Sequence, residues 1–493
     1  MQQVSTLGDI TLDKPLKVSV DGTDIILVRD GNAVRAFGAI CPHAGAPLEE
    51  GVVCAGRIVC PWHKAMFAIG DGALLEPPAL DALPRYPVLV DGDRVLVSVE
   101  PIPPVPRLAG TDARTFIVVG AGAAGTAAAA ALREFGFDGR IVLLGAEPDV
   151  PYDRTALSKF VLEGGMKPAD VTPLRDPGFY DRHRIERRHG TATSLDPAAR
   201  RVALADGTAI DYDAVLLASG GTPRTLDIPG ADLPGVHTLR NVEDARRILP
   251  RLRNGARAVI VGGGFIGMEA ASALTKNGLQ VTVVSPDAFP LEKPLGREVA
   301  QALRRLHETG GVTFVPGRVA RVNGLARAAG VTLDDGRTLS AELVIVGLGV
   351  RPATGFAASL PLDEDGGISV DAGMRAADAI FAAGDVARFP FGDTRIRIEH
   401  WRVAQQTARI AARSMLGGEA AWTEPPFFWT YHFGHRIELL GHPQDVDSTL
   451  VEGDLDGMDF IARRMRGGRL VGAIACQREA EMAVIAATLG TAA

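Results

Sequence analysis

The chain has 493 residues, 46% hydrophobic and 23% charged, an ordinary globular composition with length for roughly two to four domains. With 52 basic and 59 acidic residues the net charge is −7, which argues against nucleic-acid or anionic-membrane partners. Four cysteines exclude a disulfide framework and fit a cytoplasmic protein whose thiols are free or ligate metal. Met1 to Ser5 opens no secretory signal, and apolar runs such as Ala127 to Leu132 are too short to span a bilayer.

Residues 1–100 carry short apolar runs, Ile25 to Val28 and Val95 to Val99 among them. Asp-Gly pairs at 21–22, 30–31, 71–72 and 91–92 punctuate them, which predicts a small all-β domain. The proline-rich stretch Pro101 to Pro106 opens a semi-rigid linker over 101–113. From Arg114 onward, apolar strands alternate with Ala/Leu/Arg-rich helical stretches, the pattern of parallel α/β layers. That pattern is duplicated: Phe116 to Gly120 and Ala258 to Gly262 each run into a glycine-rich turn and a helix. The expected architecture is multidomain, with two Rossmann-like α/β dinucleotide-binding units, over 114–235 with 360–417 and over 236–359. Residues 418–493 mix aromatics, strand-like segments and a final Ala-rich helix, and are expected to form a C-terminal α+β cap.

Within the first domain, Cys41-Pro42-His43 and Cys60-Pro61-Trp62-His63 are separated by sixteen residues. Two thiolates and two imidazoles are the ligand set of a Rieske [2Fe–2S] cluster, in which two histidines replace two cysteines on one iron. Cys41, His43, Cys60 and His63 are therefore the expected metal ligands. Mixed Cys/His sets also bind zinc, although zinc motifs rarely pair these two spacings in a small β-rich domain. The segment resembles Rieske ferredoxins and the N-terminal domains of Rieske oxygenases. It departs from them at Lys64, where glycine is usual. Ala46 and Trp62 occupy positions that hold extra cysteines in the high-potential proteins, which implies the unbraced type. Cys54 reads as a small buried hydrophobe and not as a ligand.

The first glycine turn, Gly120, Gly122 and Gly125, follows a strand and opens a helix, the context in which such a turn holds a pyrophosphate. After the next strand, Glu147 is the ribose-binding candidate. The second turn is Gly262, Gly264 and Gly267, followed by Glu269. Its next strand ends in Ser285-Pro286-Asp287 with no arginine at once behind it, which favours NADH, with NADPH the alternative. Two such sites in one chain point to one flavin and one nicotinamide.

From residue 114 the chain resembles the FAD-dependent ferredoxin reductases and apoptosis-inducing-factor-like oxidoreductases, of pyridine nucleotide-disulfide oxidoreductase fold. With the first domain included, it resembles the Rieske-fused branch of that family. Pro151-Tyr152-Asp153-Arg154-Thr155-Ala156-Leu157-Ser158-Lys159 is similar to the family's flavin loop, which implies flavin contacts for Arg154 and Lys159. Leu217 to Arg224 matches a second segment and points to Arg224, and Phe381 to Asp385 matches the motif whose aspartate, here Asp385, binds the ribityl chain. Glu399-His400-Trp401, followed by Val403, matches the segment passing the flavin ring, and Pro426 to Trp429 the aromatic segment packed near it. Family members often carry an acid at the position of Ala146. No thiol pair stands in the flavin region, so the disulfide-reducing branch is excluded.

The resemblance implies electron transfer from NAD(P)H through FAD to the cluster and on to an external acceptor such as a ferredoxin or an oxygenase. Lys159, Glu269 and Trp429 are the expected catalytic residues. The alternative is a redox-sensing or signalling flavoprotein. His432 and His435 read as loop or packing histidines, and the basic run Arg182 to Arg188 as a solvated face.

Overall fold

The computed structural model describes residues 1–103, 112–442 and 446–489, so most of the predicted linker lies outside the described residues. The N-terminal domain is built from three antiparallel sheets. One joins Gln2–Thr6, Arg94–Val97 and Val88–Asp91, and another joins Leu16–Val20, Thr23–Asp30, Ala33–Gly38 and Arg85–Tyr86. The third joins Val52–Cys54, Arg57–Val59, Met66–Ala68 and Leu74–Glu76 and leads into the cysteine-bearing loops. The run Ile25 to Val28 is buried throughout because its strand separates two cores. Ile25 and Leu27 face one core, and Ile26 and Val28 face the other.

The reductase part holds two parallel sheets. The first places Ile185–His189, Arg140–Gly145, Thr115–Val119, Ala214–Leu217 and Ile380–Ala382 side by side, with Arg375–Ala377 antiparallel at its edge. The second orders Val236–His237, Leu343–Val346, Arg257–Val261, Gln280–Ser285 and Thr313–Pro316. The central strands of both are apolar and buried along their length, as sheets covered on two faces require. The alanines of helix Ala123–Glu134 leave room for helix Trp401–Met415 to pack closely against it.

Residues from 427 form a five-stranded antiparallel sheet in the order Phe427–His432, His435–Leu440, Arg469–Cys476, Asp459–Arg466 and Ser448–Asp454. The last described element, helix Glu479–Leu489, buries Met482, Ala483 and Ala486 in a core shared with Phe427 and Trp429. Val59 and Met66 of the N-terminal domain complete that core, and half-buried Cys54 packs against it. The two domains thus share apolar side chains. Among the described residues, no helix is long and apolar enough to cross a membrane.

Candidate functional site

The two cysteine–histidine loops come together. The Nδ1 atoms of His43 and His63 lie 3.1 Å apart. Cys41 and Cys60 hydrogen-bond each other; this contact, with burial, pushes the Cys41 thiol far up, and the same contact draws Cys60 down to about 7. Backbone N–H groups of His43 and Ala44 point at Cys41, and those of Trp62 and His63 at Cys60, as a thiolate needs. Burial holds both imidazoles below their ordinary range, in the neutral form that metal ligation requires. Among the described residues, no three His, Cys, Asp or Glu side chains converge as a single-ion site. A two-iron cluster needs only two protein ligands per iron. The four residues fall into those two pairs, which fits the cluster better than tetrahedral zinc.

Lys64 explains the usual glycine and departs from it for a reason. Its φ is +56°, a left-handed conformation that glycine adopts without cost. Its fully buried Nζ donates to Glu438 Oε1 at 2.8 Å and to the carbonyl of Pro61 at 2.5 Å. Glu438 belongs to the C-terminal sheet, so the residue beside the predicted ligand His63 finds its counter-charge outside the N-terminal domain. Burial pushes Lys64 down and Glu438 up. Further polar contacts cross the same boundary. Arg57 donates to both carboxylate oxygens of Glu424, at 3.0 and 2.9 Å, and Gln406 donates to Glu76 at 2.6 Å. Arg175 reaches Asp81 and the Leu80 carbonyl, each at 2.5 Å.

A cavity of about 1140 Å³ runs between the two parallel sheets. Of the predicted flavin residues, Gly120, Gly122, Glu147, Arg154, Lys159 and Asp385 line it. Gly264 and Glu269 of the second turn line it too. The glycines divide their work. A Cβ on Gly125 would sit 1.7 Å from the Gly120 carbonyl oxygen, so this glycine serves strand–helix packing. A Cβ on Gly122 would meet only the Arg154 guanidinium at 3.8 Å and would project into the cradle a pyrophosphate needs. Gly267 and Gly264 repeat the pattern, at 2.5 Å and 3.6 Å. This cradle, together with the unpartnered buried Nδ1 of His400 on the cavity wall, fits a dinucleotide.

Charges around the cavity are paired with one another. Glu147 accepts from Arg154 at 2.8 Å and from the Tyr152 hydroxyl at 2.6 Å. Asp385 accepts from Arg240 at 2.7 Å, and Glu269 accepts from Ser158 at 2.5 Å and Lys159 at 3.0 Å. Arg240, Arg351, Ser158 and Phe428 line the cavity without having been singled out from sequence. Gly125, Arg224, Gly262, Gly267, Val403 and Trp429 are not among the lining residues. Arg224 is exposed and Val403 is buried in the core of the first sheet.

The placement of Trp429 follows from strand alternation. On Phe427–His432, Phe428 turns toward the cavity, its ring 4.5 Å from Phe265 and 4.2 Å from His400. Trp429 turns the other way, its ring 4.4 Å from that of His63 and 6.4 Å from that of His43. Adjacent residues of one strand therefore face the cavity and the histidine pair His43 and His63. His432 is the last residue of this strand and fully buried; half-buried His435 begins the next strand. In the basic run, Arg182 and Arg184 pair with Asp176 and Asp138, and Arg187 covers the Tyr180 ring.

The comparisons agree with this layout. Residues 1–87 match the Rieske [2Fe-2S] domain, 114–408 the pyridine nucleotide-disulphide oxidoreductase family, and 427–492 the reductase C-terminal domain. Human Apoptosis-inducing factor 3 is 33% identical over 490 residues, covering 95% of this chain and 80% of its own. The ferredoxin–NAD(+) reductase component of the anthranilate 1,2-dioxygenase system of Burkholderia cepacia is 39% identical over 368 residues, covering 73% of this chain and 90% of its own. A ferredoxin reductase crystal structure from Rhodopseudomonas palustris superposes with a TM-score of 0.72 at 31% identity, over 75% of this chain and 92% of that one. A covalent putidaredoxin reductase–putidaredoxin complex superposes at 0.74 and 30% identity, over 77% and 94%. FAD, NAD(P)H and a [2Fe–2S] cluster are the cofactors of these families, and the enzyme is an FAD-dependent NAD(P)H oxidoreductase of ferredoxin-reductase type. The chain belongs to the pyridine nucleotide-disulphide oxidoreductase family, with a Rieske domain fused to its N-terminal side.

Proposed function

We propose that this protein carries its own first electron acceptor: electrons from NADH pass to a cluster on Cys41, His43, Cys60 and His63, and from there to an external one-electron acceptor such as a ferredoxin or an oxygenase. Bound FAD supplies the conversion of a two-electron hydride into single electrons. The two parallel sheets are read as two Rossmann-like units, the first for FAD and the second for NADH. The residue boundaries stay as assigned from sequence. Gly120, Gly122 and Gly125 would admit the flavin pyrophosphate. Arg154, Lys159, Arg224 and Asp385 would fix the flavin, and Glu147 its ribose. Gly262, Gly264 and Gly267 would do the same for NADH, with Lys159 and Glu269 setting the charge where the two cofactors meet.

The observation that carries the reading is the strand Phe427–His432, which presents Phe428 to the cavity and Trp429 to His63. Trp429 then acts between the two centres and not as a flavin ligand. The interdomain pairs Lys64–Glu438 and Arg57–Glu424 support a cluster domain that stays docked during turnover. Protein freed of flavin but retaining iron should show no NADH-dependent bleaching of the cluster; bleaching without flavin would overturn the reading.

A redox-sensing role is the second reading. It is favoured by the likeness to Apoptosis-inducing factor 3 over 95% of this chain, where the ferredoxin reductase component of Burkholderia cepacia matches 73%. Slow NADH-dependent reduction that changes the protein's association, with no fast delivery to ferredoxins, would support it.

A further inference from the structure

Lys64 stands where glycine is usual, and two features of its site work against a lysine. Its φ of +56° is a conformation that side chains rarely adopt. Its ammonium is fully buried, which costs solvation. A residue held against both its backbone preference and its hydration points to a use for its chemistry. The geometry shows what that chemistry faces. The Cys60 N–H donates to the Ala65 carbonyl at 2.9 Å and closes the loop that carries the predicted ligands Cys60 and His63. The Lys64 side chain turns back onto this loop, where Nζ donates to the Pro61 carbonyl at 2.5 Å. The same Nζ donates to Glu438 Oε1 at 2.8 Å. The ammonium is thus the end of the ion pair that is hydrogen-bonded to the ligand loop.

Other charges near the loops are engaged elsewhere. Arg436 and Lys159 also face His63, and Asp153 faces His43. Arg436 donates to Glu479 at 2.9 Å, and Lys159 donates to Glu269 and to the Thr155 carbonyl, each at 3.0 Å. Asp153 accepts from the Thr155 N–H at 2.8 Å. Of these four charged groups, Lys64 is the one hydrogen-bonded to a ligand loop, and its charge acts on both Cys60 and His63.

We propose that Lys64 sets the reduction potential of the cluster: its buried ammonium, fixed between the Pro61 carbonyl and Glu438, raises that potential above what the same loops would give with glycine. The inference rests on the cluster being held by Cys41, His43, Cys60 and His63. Reduction adds one electron to the cluster and breaks no bond in the protein, so the site gains one negative charge. A fixed cation beside the ligands favours that added charge. The hydrogen bond to the Pro61 carbonyl acts in the same sense, because it draws electron density away from the loop. Loops without the extra cysteines, with Ala46 and Trp62 in their places, are expected to hold a low-potential cluster, and Lys64 shifts this one upward.

The test is an anaerobic, dye-mediated redox titration of the holoprotein without NADH, following the visible absorption and the EPR signal of the cluster. Lys64→Met keeps an unbranched side chain and removes both the charge and the donor. At the wild-type midpoint its ratio of reduced to oxidised cluster should fall about tenfold, the effect of a nearby unit charge at an effective dielectric of about 20. Lys64→Gly, which also relieves the backbone, should shift the same way. Glu424→Gln breaks a different boundary pair, Arg57–Glu424, and should leave the midpoint where it is. Iron and acid-labile sulfide are measured on every variant. A midpoint that stays or rises in the Lys64 variants would overturn the proposal. So would an equal fall in Glu424→Gln, which would make the effect one of docking, or loss of iron from both Lys64 variants, which would make the residue structural. A wild-type protein with no [2Fe–2S] EPR signal would overturn the cluster reading itself, and this inference with it. Dyes take the place of NADH and flavin, so the result does not depend on the route proposed through Trp429.

Discussion

The ion pairs at the domain boundary and those around the cavity are made of the same residue types in different settings. Lys64 and Glu438 are 0% and 3% exposed, and Arg436 Nε lies 3.3 Å from the same Glu438 oxygen. Arg154 and Glu147 are 21% and 32% exposed, and Arg240 and Asp385 are 25% and 10%. Buried pairs of the first kind are costly to break, because the survivor is left charged in a low dielectric. Pairs of the second kind line a cavity and can exchange partners when a dinucleotide enters. Burial therefore sets Lys64–Glu438 apart from Arg154–Glu147 and Arg240–Asp385, while Lys159–Glu269, 8% and 4% exposed, is a buried pair on the cavity side.

The sharpest break in that comparison is Cys41→Ser. It removes a proposed cluster ligand outright, so iron and acid-labile sulfide should fall well below about two of each per chain. NADH should still reduce the flavin, while electron delivery to a ferredoxin falls. Unchanged delivery to every acceptor tested would leave the cluster off the path.

Glu438→Gln comes next. It leaves the Lys64 ammonium buried and unpaired, and should lower the unfolding free energy by about 3–5 kcal/mol. Lys64→Gly strands Glu438 in turn, but Arg436 Nε lies 3.3 Å from the same oxygen and the left-handed strain is relieved, so it should cost less in denaturant unfolding. A larger loss for the glycine variant would contradict the boundary account.

Asp385→Ala tests the cavity side. It should weaken flavin retention by about 1–3 kcal/mol through loss of a buried acceptor, read as FAD content after dialysis. Undiminished flavin would remove Asp385 from the site.

The smallest effect is on acid stability. His432 is held down to about 3 from an ordinary 6.5. The unfolded chain therefore takes up a proton below 6.5 that the folded chain refuses, and stability is lost as pH falls toward 3. By pH 5 this histidine alone should cost about 2 kcal/mol. His432→Gln should flatten that part of the stability profile; an unchanged slope would contradict the assignment.

The two cysteine–histidine loops that come together, and both glycine turns, were legible because each motif has a fixed local spacing. Strand–turn–helix duplication likewise announced two parallel sheets. What stayed hidden depends on distant pairing. Lys64 stood out as a departure from glycine, yet its partner Glu438 is 374 residues away. Asp385 stood out in its motif, yet its partner Arg240 is 145 residues away and no local pattern marks it. Trp429 was expected beside the flavin, but period-two alternation alone would have put Phe428 and Trp429 on opposite faces of their strand. The same alternation puts Phe428, Thr430 and His432 on one face, where Thr430 meets Glu269.

The central claim is that the cavity and the cluster of one chain work as a single docked unit. Anaerobic rapid mixing with excess NADH, following cluster bleaching over an about tenfold range of protein concentration, tests it most directly. The account predicts a first-order bleaching rate that does not change with protein concentration. A rate that rises in proportion to protein concentration would mean that electrons pass between molecules, and would contradict it.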